Sequence, residues 1–228
     1  IGGASSFIES TLAQIYKVKD RDGFRGGPAY YMQKGLKSRW MGIAFAITIT
    51  LSFGLIFNSV QSNTIAMALK SSFGLNTLTV GIILAVLTAI VIFGGVKRIA
   101  HVVQIIVPFM AVAYLILALV VMITNITEIP AVFAMIFKNA FGLEQAFGGG
   151  MGAAVLYGVK RGLFSNEAGM GSAPNAAATA AVTHPVKQGL IQTLGVFLDT
   201  ILICSATAFI ILLSDAANSG AEGINLTQ

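Results

Sequence analysis

Charged residues are scarce in this sequence. Of its 228 residues, 14 are Lys or Arg and 9 are Asp or Glu, so 10% of the chain is charged while 56% is hydrophobic. Intrinsic disorder requires low hydrophobicity, and an ordinary soluble domain carries charge on about a quarter of its residues. Both classes are therefore excluded, and the composition indicates an integral membrane protein. A bilayer span takes about 20 mostly apolar residues, so the chain accommodates five or six spans with short connections.

Cysteine and histidine are almost absent. The single cysteine, Cys204, excludes an intrachain disulfide and a cysteine-based metal cluster, and we interpret it as a small packing residue in an apolar run. The two histidines, His101 and His184, lie at predicted helix starts, where an interfacial polar role is favoured over metal binding. The net charge of +5 does not indicate nucleic acid binding, because the basic residues do not gather on a solvated face.

The hydrophobic segments predict an all-α integral membrane protein with a single partial transmembrane domain. The predicted spans are residues 1–16, 41–69, 78–95, 99–124, 146–182 and 188–213, of which the fifth is broken. Pro108 predicts a kink in the fourth span. A shorter helix at 130–141, in which Phe133, Phe137 and Phe141 are spaced four apart, is predicted to lie along the membrane surface.

Basic residues are concentrated in alternate loops. The loops 17–39, 95–99 and 183–187 hold ten of them, against Lys70 and Lys138 in the loops of the other side. The positive-inside rule makes the first set cytoplasmic. We expect a multi-pass protein of the cell inner (plasma) membrane.

Residues 158–174 interrupt the fifth span with glycine, charge and proline. In hydrocarbon every backbone N–H and C=O needs an internal partner, so such a break is tolerated only where it is buried or lines an aqueous cavity. Gly169 and Gly171 permit irregular dihedrals, and Ser165 and Asn166 add neutral hydrogen-bonding groups. Half-helix N-termini attract a carboxylate and unwound carbonyls bind a small cation, so the segment predicts a secondary-transporter site. The alternative is a glycine-mediated packing interface with a structural kink.

Three stretches resemble a known family. They are Gly158–Pro174 (GVKRGLFSNEAGMGSAP), Gly2–Gln14 (GGASSFIESTLAQ) and Phe24–Tyr31 (FRGGPAYY). The sequence resembles the alanine or glycine:cation symporter family, the sodium:alanine symporters, over nearly the whole chain. The resemblance implies a leucine-transporter-like fold of two inverted five-helix repeats, of which this chain supplies core helices two to seven, with 146–182 as the broken sixth. It also implies symport of a small neutral amino acid, alanine or glycine, with a sodium ion as the coupling ion.

In that family a first broken helix with a Gly-Thr-Gly-Asn motif precedes these elements, and core helices eight to ten follow them. Neither is present in this sequence, so we expect the chain to be a fragment. Its partners are then the remaining N- and C-terminal core helices of the same transporter, together with membrane lipid.

The predicted substrate contacts lie on two of these core helices. Gln61 is expected to hydrogen-bond the amino acid from core helix three, and Phe57, one turn earlier, to wall the pocket. Ser165 and Asn166 are expected to contact substrate or sodium, and the break glycines Gly169 and Gly171 to let the ligand approach closely. For the polar residues of core helix three, interhelical hydrogen bonding is the alternative.

Charged residues within the spans are costly in a bilayer and therefore need a role. Arg161, Glu167 and Asp199 are predicted to form a structural or gating ion pair across the break, with static pairing favoured. Ser165 lacks the nucleophile-elbow pattern, and residues 158–171 contain no histidine to act as a base, so an enzyme is not indicated.

The leading hypothesis is thus a sodium-coupled amino-acid symporter that works by alternating access. One alternative is proton coupling through Asp199 or Glu9, and another is a non-transporting membrane scaffold module. A passive channel is disfavoured, because the sequence has neither charged rings nor a repeated filter motif.

Overall fold

The computed structural model describes residues 1–20, 23–141, 156, 160, 162 and 164–214. Its α-helices are α1 (Gly2–Ile15), α2 (Pro28–Gly35), α3 (Arg39–Leu51), α4 (Asn58–Phe73), α5 (Thr77–Ile92), α6 (Gly95–Thr124), α7 (Ile129–Phe141), α8 (Ser172–Thr179), α9 (Pro185–Leu198) and α10 (Ser205–Leu213). Two short strands, β1 (Val18–Asp20) and β2 (Gly23–Arg25), pair antiparallel. A first π-helical segment (Ser52–Phe57) joins α3 to α4, and a second (Asp199–Cys204) joins α9 to α10.

The chain folds into two compact units. The first comprises Ile1–Leu55 and Phe137–Cys204, and the second comprises Ile56–Ile136 and Ser205–Gln228. One boundary falls inside the first π-helical segment and another at the end of the second. Both long helices that contain a π-helical segment therefore contribute to both units.

In the first unit, α1 packs lengthwise against α9 and α8. The contact is close because small residues face it: Ala13 and Ser10 are fully buried, and a Cβ on Gly189 of α9 would lie 2.9 Å from the Phe7 carbonyl oxygen. The Thr193 hydroxyl also donates to the Gly3 carbonyl at 3.2 Å. Small side chains let helix backbones approach in this way in membrane proteins, where packing and hydrogen bonds drive helix association.

In the second unit, α5 lies against both α4 and α6, and α10 lies against α6. The Tyr114 and Thr207 hydroxyls hydrogen-bond at 2.6 Å between α6 and α10. Phe133 of α7 and Phe209 of α10 meet edge to face, with ring centroids 5.4 Å apart and an interplanar angle of 65°. This is a favoured aromatic geometry, so Phe133 of the predicted surface helix packs against protein.

Three helices are long and apolar enough to cross a membrane. They are Arg39–Phe73, Gly95–Thr124 and Pro185–Leu213, and they contain the predicted spans 41–69, 99–124 and 188–213. Within their most apolar stretches, only 6%, 6% and 11% of residues are buried, so these helices expose apolar side chains that water does not favour. The protein is therefore an integral membrane protein, as its composition predicts.

The remaining predicted spans differ from the helices in length. For the predicted span 78–95, α5 has 16 residues and a length of about 24 Å, because Phe93 and Gly94 form a turn and Gly95 has φ 74°. Pro108 lies inside α6, which continues through it. Much of the predicted broken span 146–182 lies outside the described residues.

The interval 17–39 contains more regular structure than the simple loop that the sequence predicts. Residues 18–25 include the β1–β2 pair, in which Lys19 lies opposite Phe24, so the fold is not purely helical. Pro28 then occupies the first turn of α2, where its missing N–H costs nothing. Short elements of this kind cannot be predicted from hydrophobic periodicity, because they contain too few residues to show a period.

We expect Gly189→Ala to destabilise the protein, because the added methyl group has to displace Phe7 and Thr11 at the α1–α9 contact. Overpacking of this kind costs about 1–3 kcal/mol, which lowers the midpoint of thermal unfolding of the full-length transporter in detergent. Gly81→Ala on α5 is the control, since a Cβ there meets nothing within 4 Å. Equal midpoints for the two variants would contradict the close contact.

Candidate functional site

The helix that contains Phe164 and Ser165 ends at Ser165, and α8 begins at Ser172. Residues 166–170 form turns, and three residues of this break have positive φ: Glu167 (51°), Gly169 (83°) and Gly171 (79°). Left-handed dihedrals cannot continue a right-handed helix, so the chain is interrupted within the segment that the sequence singled out.

Gly171 shows why the break needs glycine. Its φ of 79° disfavours any side chain, and an added Cβ would lie 2.5 Å from Phe45 Cζ and 2.9 Å from Pro28 Cγ. Phe45 of α3 and Pro28 of α2 therefore press directly on the backbone that precedes α8. Asn175 donates through Nδ2 to the Gly171 carbonyl at 3.0 Å, which satisfies a backbone group at the turn.

Ser165 is held at the end of its helix by the second π-helical segment. Its hydroxyl donates to Asp199 Oδ2 at 2.6 Å and lies 3.2 Å from the thiol of Cys204. Cys204 is thus more than the packing residue expected from its sequence context, since its sulfur also lies 3.9 Å from the same Asp199 oxygen. The hydroxyl of Ser165 keeps lone pairs that remain available to a ligand.

Asn166 is the first residue of the break and has its own partner on the π-helical segment. Its Nδ2 donates to Thr200 Oγ1 at 2.8 Å. Its Oδ1 lies beside α1, since a Cβ built on Gly2 would approach it to 3.1 Å. Ser165 and Asn166 are therefore both anchored to consecutive residues, Asp199 and Thr200, of one helix.

A cleft of about 200 Å³ opens between these groups within the first unit. It is smaller than the 300–1,000 Å³ sites that hold drug-sized ligands, so its size suits an ion or a small solute. Its lining residues combine hydroxyl, amide and carboxylate oxygens with a few apolar side chains: Ser6, Ser165, Asn166, Glu167, Ala173, Gln192, Gly195, Val196 and Asp199.

The electrostatic character of the cleft is acidic. Glu167 and Asp199 supply two carboxylates, and none of the lining residues that the structure describes is basic. Glu167 accepts a hydrogen bond from the hydroxyl of Ser172, the first residue of α8. Oxygen ligands of this kind suit a hard cation, and the part of the chain that the structure describes holds no cluster of three His, Cys, Asp or Glu that would favour a transition metal.

The structure brings together four of the predicted site residues: Ser165, Asn166, Glu167 and Asp199 line one cleft. The break glycines Gly169 and Gly171 lie in the same segment. Arg161, the predicted partner of Glu167 and Asp199, lies outside the described residues, so the ion pair stays a prediction.

Phe57 and Gln61 belong to the second unit. Phe57 is the last residue of the first π-helical segment and is half-buried, whereas Gln61 is exposed on α4. Their role toward the substrate stays a prediction.

Sequence reasoning missed several members of the cleft and its support, namely Ser6, Gln192, Thr200 and Ser172. Gln192 carried a usable signal, because a polar amide in an otherwise apolar predicted span needs a partner. Thr200 also carried a usable signal, namely its position next to Asp199. Ser6 and Ser172 carried no usable signal, because serine is common in small-residue helix contacts.

Comparison with known proteins finds one family over the complete chain. A family described as the sodium:alanine symporter family matches residues 1–228. Among curated proteins, the chain is 64% identical to the probable sodium/glutamine symporter GlnT of Bacillus subtilis (strain 168) over 229 residues, which is 100% of this chain and 48% of that protein. It is also 64% identical to the amino-acid carrier protein AlsT of the same organism over 228 residues, covering 100% of this chain and 49% of AlsT.

A more distant relative is archaeal. The chain is 44% identical over 218 residues to the sodium/alanine symporter AgcS of Methanococcus maripaludis, which is 93% of this chain and 48% of AgcS. The chain thus spans about half the length of the curated relatives it matches.

We expect Gly171→Ala to disrupt the break. The left-handed backbone costs a non-glycine residue about 1–3 kcal/mol, and the methyl group also collides with Phe45 and Pro28. Gly162→Ala is the matched control from the same stretch, because its Cβ meets nothing within 4 Å and its φ is not positive. Thermal unfolding of the purified full-length variants measures the difference; a Gly171→Ala midpoint equal to that of Gly162→Ala would contradict this account of the break.

Proposed function

The chain belongs to the sodium:alanine symporter family, and from that membership we propose that the transporter containing it couples sodium entry to the uptake of a small neutral amino acid across the plasma membrane. The observation that carries the proposal is the acidic, oxygen-lined cleft at the helix break, where Ser165 and Asn166 are anchored to Asp199 and Thr200. Members of this family are transporters and not enzymes.

In this proposal the cation is bound by oxygen atoms at the break. The Ser165 hydroxyl, the Asn166 side-chain carbonyl and the Asp199 carboxylate lie around one cleft, and hard monovalent cations are bound by such groups at unwound helices. Sodium is preferred to a proton because neutral oxygen groups accompany the carboxylates. A proton would need only one of the carboxylates.

The amino acid then depends on the cation. Its carboxylate is attracted by the N-terminus of α8, where the first N–H groups lack helical partners, and Ala173 of that first turn lines the cleft. Glu167 and Asp199 repel the same carboxylate, and two unit charges 4 Å apart interact by about 4 kcal/mol at an effective dielectric constant of about 20. A sodium ion beside them offsets part of this repulsion, so substrate binds better after sodium.

Transport follows from differential stabilisation of two conformations. Sodium and amino acid bound together at the break stabilise an occluded state that proceeds inward, whereas either one alone does not. The ten basic residues of loops 17–39, 95–99 and 183–187 make these loops cytoplasmic in this proposal, so α8 runs toward the cytoplasm. Arg161, with Glu167 or Asp199, supplies a static or gating ion pair.

Alanine or glycine is the proposed substrate, because the family is described by alanine and the cleft is small. Glutamine is the second candidate, since a protein that is 64% identical is named a probable sodium/glutamine symporter. Gln61 and Phe57 of the second unit are proposed as the hydrogen-bonding partner and the wall that decide which side chain is accepted.

Replacing Asn166 by Ala in the full-length transporter should abolish sodium-dependent amino-acid uptake into proteoliposomes. The substitution removes both the proposed cation ligand and the hydrogen bond to Thr200. Asn125→Ala, at the C-terminal end of α6, serves as the control and should transport normally. Uptake by Asn166→Ala at the parent rate would refute the site.

Replacing Gln61 by Ala should weaken amino-acid binding several-fold, since the hydrogen bond proposed between Gln61 and the bound amino acid contributes about 1 kcal/mol or more. Binding is measured by isothermal calorimetry on the purified full-length protein in saturating sodium. Gln33→Ala, on the exposed face of α2, is the matched control. Identical dissociation constants for Gln61→Ala and Gln33→Ala would remove Gln61 from the site.

A further inference from the structure

The second half of the broken helix, α8, is too short to be stable alone. It has 8 residues, whereas isolated helices below about 12–15 residues are marginal even in favourable sequences. Its first N–H groups and last C=O groups also need partners outside the helix. Something else in the fold must therefore hold it in place.

At its C-terminal end, α8 is held by two side chains from the end of α1. Gln14 donates through Nε2 to the carbonyl of Ala177 at 2.5 Å and to that of Ala180 at 3.0 Å. The Lys17 ammonium group, just beyond α1, donates to the Ala180 carbonyl at 2.8 Å and to Gln14 Oε1 at 2.6 Å.

The Gln14–Ala177 part of this contact is buried and closely packed, whereas Lys17 and Ala180 are half-buried. Ala178 is fully buried, Ala177 is 1% exposed and Gln14 is 4% exposed. The Lys17 ammonium also lies 4.0 Å from the centre of the Phe24 ring of β2, so the hairpin covers the charge. Hydrogen bonds in such a poorly hydrated place are stronger than those on a wet surface.

At the N-terminal end of α8, the break is held by a carboxylate from the same helix, α1. The backbone N–H of Gly169 donates to the Glu9 carboxylate, while Glu9 Oε2 is buried and has no hydrogen-bond partner among the described residues. Burial, and secondarily the nearby Glu9 carboxylate, raise the pKa of Tyr31 of α2 to about 12. Tyr31 therefore stays neutral beside Glu9.

Glu9 and Lys17, an acidic and a basic residue, lie at the ends of α8 that match its dipole. A helix carries partial positive charge at its N-terminus and partial negative charge at its C-terminus. Glu9 lies at Gly169, just before the N-terminus, and Lys17 lies at Ala180, just after the C-terminus. The residue pairs in contact follow the same order along the two segments, α1 and the segment from the break to the end of α8. The first pair is Gly2 and Asn166, and the last is Lys17 and Ala180.

We propose that Glu9 and Lys17 are positioning residues which fasten α8 to α1 at both ends and so fix the break from Asn166 to Gly171. Gln14 completes the fastening at the C-terminal end. The consequence for transport rests on the proposed function: if the break binds sodium, loosening α8 displaces the sodium ligands and raises the sodium concentration needed for half-maximal uptake. The fastening itself does not depend on that function.

The test is hydrogen exchange, read by mass spectrometry, on the full-length transporter in nanodiscs. Lys17→Met should speed exchange of the amides of residues 172–180 at least fivefold, and Glu9→Leu should do the same for residues 167–172. Exchange within α6 should stay at the parent rate in both variants. Lys17→Arg and Glu9→Gln, which keep a donor and an acceptor respectively, should restore most of the protection.

The matched controls are Lys19→Met on β1 and Glu128→Leu before α7, both of which replace exposed charges. Parent-like exchange over 167–180 in Lys17→Met and Glu9→Leu would overturn the proposal, and so would equal acceleration in α6, which indicates general destabilisation. Where Lys17→Met does not fold, the comparison of Glu9→Leu with Glu9→Gln over residues 167–172 decides the same question.

Uptake by the same variants tests the consequence for transport. Lys17→Met should raise the apparent KM for sodium several-fold with a smaller change in maximal rate, and Lys17→Arg should reverse the increase. An unchanged KM together with faster exchange would overturn the link to transport. Absence of sodium-dependent uptake by the parent would refute the proposed function. The exchange data would still test whether Glu9 and Lys17 hold α8 to α1.

Discussion

The fold depends on the need to satisfy backbone hydrogen-bonding groups where water is scarce. The chain abandons helical geometry between Asn166 and Gly171, which frees N–H and C=O groups in an otherwise apolar protein. Side chains of α1, together with Asp199 and Thr200 of the second π-helical segment, then bind the break from two directions. This requirement explains the unusual polarity of α1, which carries Glu9 and Gln14 among small residues and is followed by Lys17 just beyond its end.

The same constraint gives the break its chemistry. Groups that hold an irregular backbone inside a membrane are necessarily polar, and here they are rich in oxygen and negative charge. In the proposed function, such a cleft attracts a cation and rejects an isolated carboxylate, so a cation and an amino acid bind more favourably together than separately. Symport as we propose it needs no dedicated coupling element beyond the shared site, because the two ligands stabilise the same conformation.

Part of this picture could be predicted from the sequence. Glycines and charges inside an apolar segment located the break, and Ser165, Asn166 and Asp199 were identified because polar residues in a span need a reason to be there. The β1–β2 pair, α2 and the contacts of Gln14 and Lys17 with Ala180 were not predicted, since they join residues more than 160 positions apart or elements too short for a periodic pattern. Gln61 and Phe57 rest on family resemblance alone, because their spacing on α4 and the first π-helical segment fits a packing role equally well.

The central claim is that sodium and a small neutral amino acid share the site at the break. Isotope uptake of alanine, glycine and glutamine by the intact transporter in proteoliposomes tests it most directly, with sodium replaced by choline on the outside and at two pH values. The account predicts that uptake of one of these amino acids requires sodium at both pH values and does not respond to an imposed proton gradient. Uptake that continues in choline, or that follows the proton gradient, would contradict it.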